Sequence, residues 1–147
     1  VQNHHDIGAH HDTMLWLLNE VNLPNVKAAY DPRTPTLQGL SADELRASVR
    51  KMAPYMIHTT AADYVRQPRY HYSSNLTNFL EQGTVLRAVP LGKGIIDYKT
   101  FFAALREIGY QGYIAYEMCE VLDGGGDIEN LDRTAKESLA CIKSMGE

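Results

Sequence analysis

Apolar residues recur at three- and four-residue spacing in four stretches of the chain, and short apolar runs lie between them. That alternation predicts helix and strand in turn. Val1 to His5 reads as the last turn of a strand, with IGAH after it as loop. Met14, Leu17, Leu18 and Val21 share one helical face, so a helix capped by Asp12 is expected to about Asn22, closed by Pro24. Val26 to Tyr30 is a short strand ending at Asp31, and the two prolines of the following PRTPTLQG oppose regular pairing. Ser41 with Glu44 three residues on is a capping box, opening a helix through Met52 whose inner face is Leu45, Val49 and Met52. Pro54 stops it, and Tyr55 to Thr60 is strand-like with His58 near its end.

Ala61 to Gly94 reads as a long connection, with a turn or two of helix at Leu76 to Glu81 and an extended piece at Thr84 to Val89. Connections of that length are functional or disordered. Asp97 caps a helix from Tyr98 to Ile108 with Phe101, Phe102, Leu105 and Ile108 buried, and Gly109 supplies its stop. The apolar, aromatic run Gly112 to Tyr116 predicts a buried strand that delivers Glu117 at its end. After DGGGD, a last helix from about Ile128 to Met145 is expected to face inward through Leu131, Ala135, Leu139 and Ile142.

Strand and helix repeated four times imply an α/β fold of parallel strands joined by crossovers, in a single domain over residues 1–147. A doubly wound sheet would show GxGxxG at its first turn, and none is present. The GKG at Gly92 to Gly94 stands several residues before its helix and reads as a flexible entry rather than a phosphate loop. With 147 residues, 44% hydrophobic, the chain can bury one core. Its formal charge of −4 disfavours nucleic acid as a partner, which calls for a basic surface. Cys119 and Cys141 have no CxxC or disulfide-framework spacing, so reduced thiols and a cytoplasmic location are expected. No apolar run approaches the roughly 20 residues that cross a bilayer. Val1 is not an initiator, so a fragment or processed product is expected.

Ligands of parallel sheets bind at the C-terminal strand ends. Those ends carry Gln2, Asn3 and His4, then Asp31, then His58, then Glu117. This mixed nitrogen and oxygen set suits Mn²⁺, Mg²⁺, Co²⁺ or Zn²⁺. The plainer alternative is that Asp31 caps a turn, His58 is a core histidine and Glu117 pairs with an arginine.

QNHHD at a strand end, LPNVKAAYD, MIHTT, LGKGIIDY and LREIGYQGYIAYE resemble the xylose-isomerase-like barrels, which include sugar isomerases and epimerases and related metal-dependent endonucleases. The likeness covers strands five to eight, half of a (β/α)8 TIM barrel. It implies a divalent metal at Asp31, His58 and Glu117, with a fourth ligand, commonly glutamate, where this chain has Gln2. It also implies an enediolate mechanism on a sugar or sugar phosphate, with Glu117 the one strand-end carboxylate able to act as base. From its place two residues past Gln2, His4 is expected to orient a hydroxyl or serve as a substitute acid, and Asn3 beside it to contact substrate. Gln2 can neither balance charge nor carry a proton, so one of the paired carboxylates is absent.

Other residues bear on the site less directly. Arg66, Arg69 and His71 could grip a sugar phosphate, and Tyr64, Tyr70 and Tyr72 could lid a sugar ring; solvated loop charges and packing explain them equally well. His4, His5, His10 and His11 look like a metal tract, but His10 and His11 straddle a helix start and read as solvated; Trp16 reads as core or interface, and Lys93 as a solvated loop lysine rather than a contact to an anionic substrate. Half a barrel leaves strand edges open, so a homodimer or homo-oligomer is expected to cover them, and an isolated half is expected to be inactive. An abasic-site endonuclease of the same superfamily is disfavoured by the acidic balance and by Gln2. A non-catalytic binding or interaction module is the remaining alternative.

Overall fold

The computed structural model describes residues 1–4 and 6–146; His5 lies outside the described residues. Three parallel strands, β1 (Ala28–Tyr30), β2 (Met56–Ala61) and β5 (Tyr113–Tyr116), form a sheet in the order β1-β2-β5. Gln2 extends it on the far side of β1, bridging Ala29 in the parallel sense, and the Val1 carbonyl accepts the Ala29 amide at 2.7 Å. The helices are α1 (His11–Val21), α2 (Arg33–Leu37), α3 (Ala42–Met52), α4 (Tyr98–Glu107) and α5 (Ile128–Gly146).

Local signals set most helix ends. Ser41 and Glu44 form the full capping box of α3, and Asp97 accepts the Thr100 amide to cap α4. The start of α1 differs from the pattern: His10, not Asp12, is its cap, with Nδ1 accepting the Asp12 amide. An imidazole acceptor satisfies the same orphan N–H groups that a carboxylate would. The core gathers around Tyr30, which is fully buried, shares a 2.5 Å hydrogen bond with Ser48 of α3 and stacks on Phe101 of α4. Burial pushes the Tyr30 hydroxyl up to about 12.

Three expectations from the periodicity are corrected. The long connection is an antiparallel hairpin, β3 (Asp63–Ser73) and β4 (Asn78–Val89), so residues 76–81 run through a turn into a strand and not into a helix. Cross-strand pairing of Tyr72 with Phe79, rings 5.3 Å apart, outweighs the helical spacing there. The strand β5 is not buried: Tyr113 is 83% exposed, because β5 has a neighbour on one side only. The helix α5 turns Thr134, Ser138, Cys141 and Ile142 inward, leaving Leu131 and Leu139 exposed with Trp16 of α1. Its apolar stripe therefore lies beside, and not over, the core.

The base of the hairpin is fixed by one buried carboxylate. Asp63 accepts the amides of Gly92, Gly94, Ile96 and Tyr64 at 2.8 to 3.1 Å. The GKG loop thus directs its N–H groups at an internal anion, and a Cβ on Gly94 would collide with Asp63 and the Tyr64 carbonyl. Asp63→Ala should lower unfolding free energy by about 3 kcal/mol, since it orphans four amides at once. Urea denaturation followed by circular dichroism checks it; a loss under about 1 kcal/mol would show that the loop holds itself.

Candidate active site at the strand ends

Register decides which side chains meet. Tyr30 pairs with Thr59 and Ala61 with Tyr116, so Asp31, Thr60 and Glu117 come at or just past the C-terminal ends of three neighbouring strands. Gln2 reaches across these strand ends: its Nε2 donates to Glu117 Oε2 at 3.1 Å and to Thr60 Oγ1 at 3.3 Å. Asn3 is buried, and its amide oxygen and nitrogen both bind the Asp31 backbone, at 2.6 and 2.9 Å. These two bonds tie Asn3 to the Asp31 backbone. His4 lies within electrostatic reach of the Asp31 carboxylate.

His58 pairs with Ala29 and Tyr113, two residues before Thr60. At about 3.3 Å per residue it sits a full layer below Thr60 on the same strand face. Arg66 and Arg69 are exposed on β3 beyond its buried base.

Two further residues belong to the site. Arg33, two residues past Asp31, donates its backbone amide to Asp31 Oδ1 at 2.8 Å. Its guanidinium bonds Glu120 at 2.5 Å and lies over the Tyr64 ring, 5.0 Å from the centroid. The Tyr64 hydroxyl in turn accepts the Cys119 amide at 3.3 Å and contacts the Glu117 carbonyl at 3.5 Å. A signal for Arg33 existed in the sequence, an arginine beside a strand-end aspartate. The signal for Thr60 was its period-2 relation to His58, readable only once the end of β2 was known.

Burial pushes the Asp31 carboxyl up from its ordinary value. The Arg33 amide and guanidinium oppose that shift, and the Glu117 charge adds to it. Burial, reinforced by Glu117, likewise raises the nearby Cys119 thiol.

The residues here are a poor fit to a divalent cation. Glu117 faces an amide N–H, Asp31 holds a backbone amide, and His58 stands a layer away. A His-His-Asp cluster capable of coordinating a divalent metal ion is present at the start of α1. His10, His11 and Asp12 have ligand atoms all within 4.8 Å, the one such group among the described residues. The two imidazoles stack at 4.2 Å and line a surface pocket of about 280 Å³. Burial lowers the His11 pKa, favouring the neutral form that ligates, and its Nδ1 has no protein partner. Asp12 is engaged by Lys51 at 2.8 Å.

The family profile described as "Xylose isomerase-like TIM barrel" matches residues 1–145. None of the curated proteins matches the chain. Among solved structures, D-allulose 3-epimerase from Methylomonas sp. in complex with D-allulose is 22% identical, with a TM-score of 0.67 over 96% of this chain and 44% of that one. D-psicose 3-epimerase with D-tagatose from Clostridium cellulolyticum H10 is 20% identical, TM-score 0.65, over 93% and 44%. A xylose isomerase domain protein from Planctomyces limnophilus is 20% identical, TM-score 0.59, over 92% and 41%. The chain thus spans less than half the length of these proteins, and its fold is half of a (β/α)8 barrel. No helix among the described residues is long and apolar enough to cross a membrane.

Because the native pKa of Asp31 lies above its unfolded value, the folded state holds that proton more tightly. The ionised carboxylate therefore lowers stability as pH rises through that interval. Asp31→Asn keeps the acceptor for Arg33 and should be more stable than wild type at pH 7, with the gain vanishing below the ordinary aspartate pKa. Thermal melts from pH 3 to pH 8 read this; a gain that persists at pH 3 would point to packing instead.

Proposed function

The chain belongs to the xylose isomerase-like TIM-barrel family, and from that premise we propose that it forms the strand-end half of a sugar or sugar-phosphate isomerase or epimerase site. The carrying observation is that Glu117 is held at the end of β5 by Gln2, among the same strand ends as the second carboxylate, Asp31. The likeness to sugar epimerases supports an isomerase or epimerase-like function at the level of the superfamily, and the His10, His11 and Asp12 cluster could hold a divalent metal apart from the strand-end face.

In this reading Glu117 removes the proton from the carbon next to a sugar carbonyl, giving an enediolate, and returns it to the neighbouring carbon, while inversion at the same carbon takes a proton from the opposite face, a role for His4 as substitute acid. Asp31, positioned by Asn3, and His4 orient hydroxyls. A phosphate on the substrate would meet Arg66 and Arg69 of the hairpin. A non-catalytic sugar-binding or interaction module is the second reading. What favours it is the Gln2 amide, which faces Glu117 where a second carboxylate would complete an acid and base pair.

Self-association completes the proposal. The outer edge of β5 is unpaired, and Tyr113, Ile128 and Leu139 are exposed near it and along α5. Unpaired edges and apolar surface of this kind are covered in stable proteins. A homodimer of half-barrels, edge to edge, would do so, and this chain alone is then inactive.

Glu117→Gln in the full-length gene product should reduce ketose epimerisation or aldose-ketose isomerisation by about 10²- to 10⁴-fold. Chiral chromatography of D-allulose, D-fructose and their phosphates after incubation tests it, and undiminished turnover would remove Glu117 from the role of base. Light scattering on the 147-residue chain should give twice the monomer mass or more; a monodisperse monomer contradicts the dimer.

A further inference from the structure

We propose that the strand-end site takes a hydroxycarbonyl sugar without a divalent metal, the Arg33 guanidinium and the Gln2 carboxamide acting where a cation would act. The inference rests on the reading of this face as a sugar site and concerns how that face holds its ligand.

Among the described residues Asp31, His58 and Glu117 do not gather into a metal-holding group, and one oxygen of each carboxylate already accepts a hydrogen bond. Gln2 turns its N–H side, not its carbonyl oxygen, to Glu117 and Thr60. Thr60, the β2 residue at that level, is a neutral hydroxyl, while His58 lies a layer deeper. Asp31 Oδ1 holds the Arg33 amide.

A fixed positive charge is already beside these carboxylates. The Arg33 guanidinium acts on Asp31 electrostatically and is clamped by Glu120 at 2.5 Å and by the Tyr64 ring. Its side chain is 14% exposed. This charge already gives Asp31 part of the compensation that a dication would bring. Among the described residues Arg33 Nε is a buried donor without a protein partner, and a small shift of the guanidinium would bring it to a sugar or enediolate oxygen. The metal-capable group is elsewhere, at His10, His11 and Asp12.

Isothermal titration of the EDTA-treated chain with MnCl₂ separates the two places. The expected result is that any Mn²⁺ binding disappears in His10→Ala with His11→Ala and changes less than twofold in Asp31→Asn or Glu117→Gln; no binding at all agrees equally. Stoichiometric Mn²⁺ retained by the double histidine variant and weakened tenfold or more by Asp31→Asn or Glu117→Gln would overturn the proposal.

Saturation-transfer NMR with D-allulose in EDTA reads the ligand. Binding should be indifferent to added Mn²⁺ and fall about tenfold in Arg33→Gln, whereas binding that requires Mn²⁺ overturns the proposal. If no ketose or ketose phosphate binds in either condition, it is the sugar reading that fails, and the Mn²⁺ titration still decides the metal question.

Discussion

A single carboxylate inside the protein, Asp63, gathers the backbone amides of Tyr64, Gly92, Gly94 and Ile96. These residues come from the base of a hairpin and from the loop that enters α4, which are separated by the whole length of β3 and β4. Burial raises the Asp63 pKa and the four amide donors oppose that shift. Because β3 starts at Asp63, the next residue, Tyr64, is held at the strand ends. There it carries the Arg33 guanidinium on its ring and meets the Glu117 carbonyl and the Cys119 amide with its hydroxyl. The candidate site is therefore anchored from a point that contributes nothing to its chemistry.

Above that anchor the strand-end face combines two carboxylates, one guanidinium, one carboxamide and one hydroxyl. Gln2 is the crossing element, since its side chain reaches from the far side of β1 to Thr60 of β2 and to Glu117 after β5. The Asn3 clamp on the Asp31 backbone ties the same segment to the end of β1. Both arrive on residues next to the first strand rung, so a few residues before α1 orient most of the face. A buried carboxylate with a raised pKa next to a second carboxylate is a destabilising arrangement that persists at functional sites.

The opposite feature is surface left without a neighbour. The outer edge of β5 and the leucines of α5 are apolar in the way of buried elements, yet they are exposed. The chain spans less than half of the barrels it resembles. The hairpin arm adds Tyr70, Tyr72 and Phe79 to this exposed surface, stabilised by its own cross-strand pairs more than by contact with the core.

Local patterns by themselves determined much of this. The capping box at Ser41 and Glu44, the Asp97 cap, the Phe101 and Leu105 stripe and the four strand ends are short-range features, so Asp31 and Glu117 could be placed at the ends of strands from sequence. The hairpin could not, because β pairing couples residues whose partner is set by register, and its Leu76 to Glu81 turn imitates a helical spacing. Nor could the inward face of α5 be read, since a two-sided apolar helix needs its neighbours to choose a face. Only the tertiary structure decided that Thr60, and not His58, reaches Gln2, that Arg33 closes over Tyr64, and that the GKG amides serve Asp63. A one-residue difference in where a strand ends moves the next side chain to the other face, and a sequence does not carry that register.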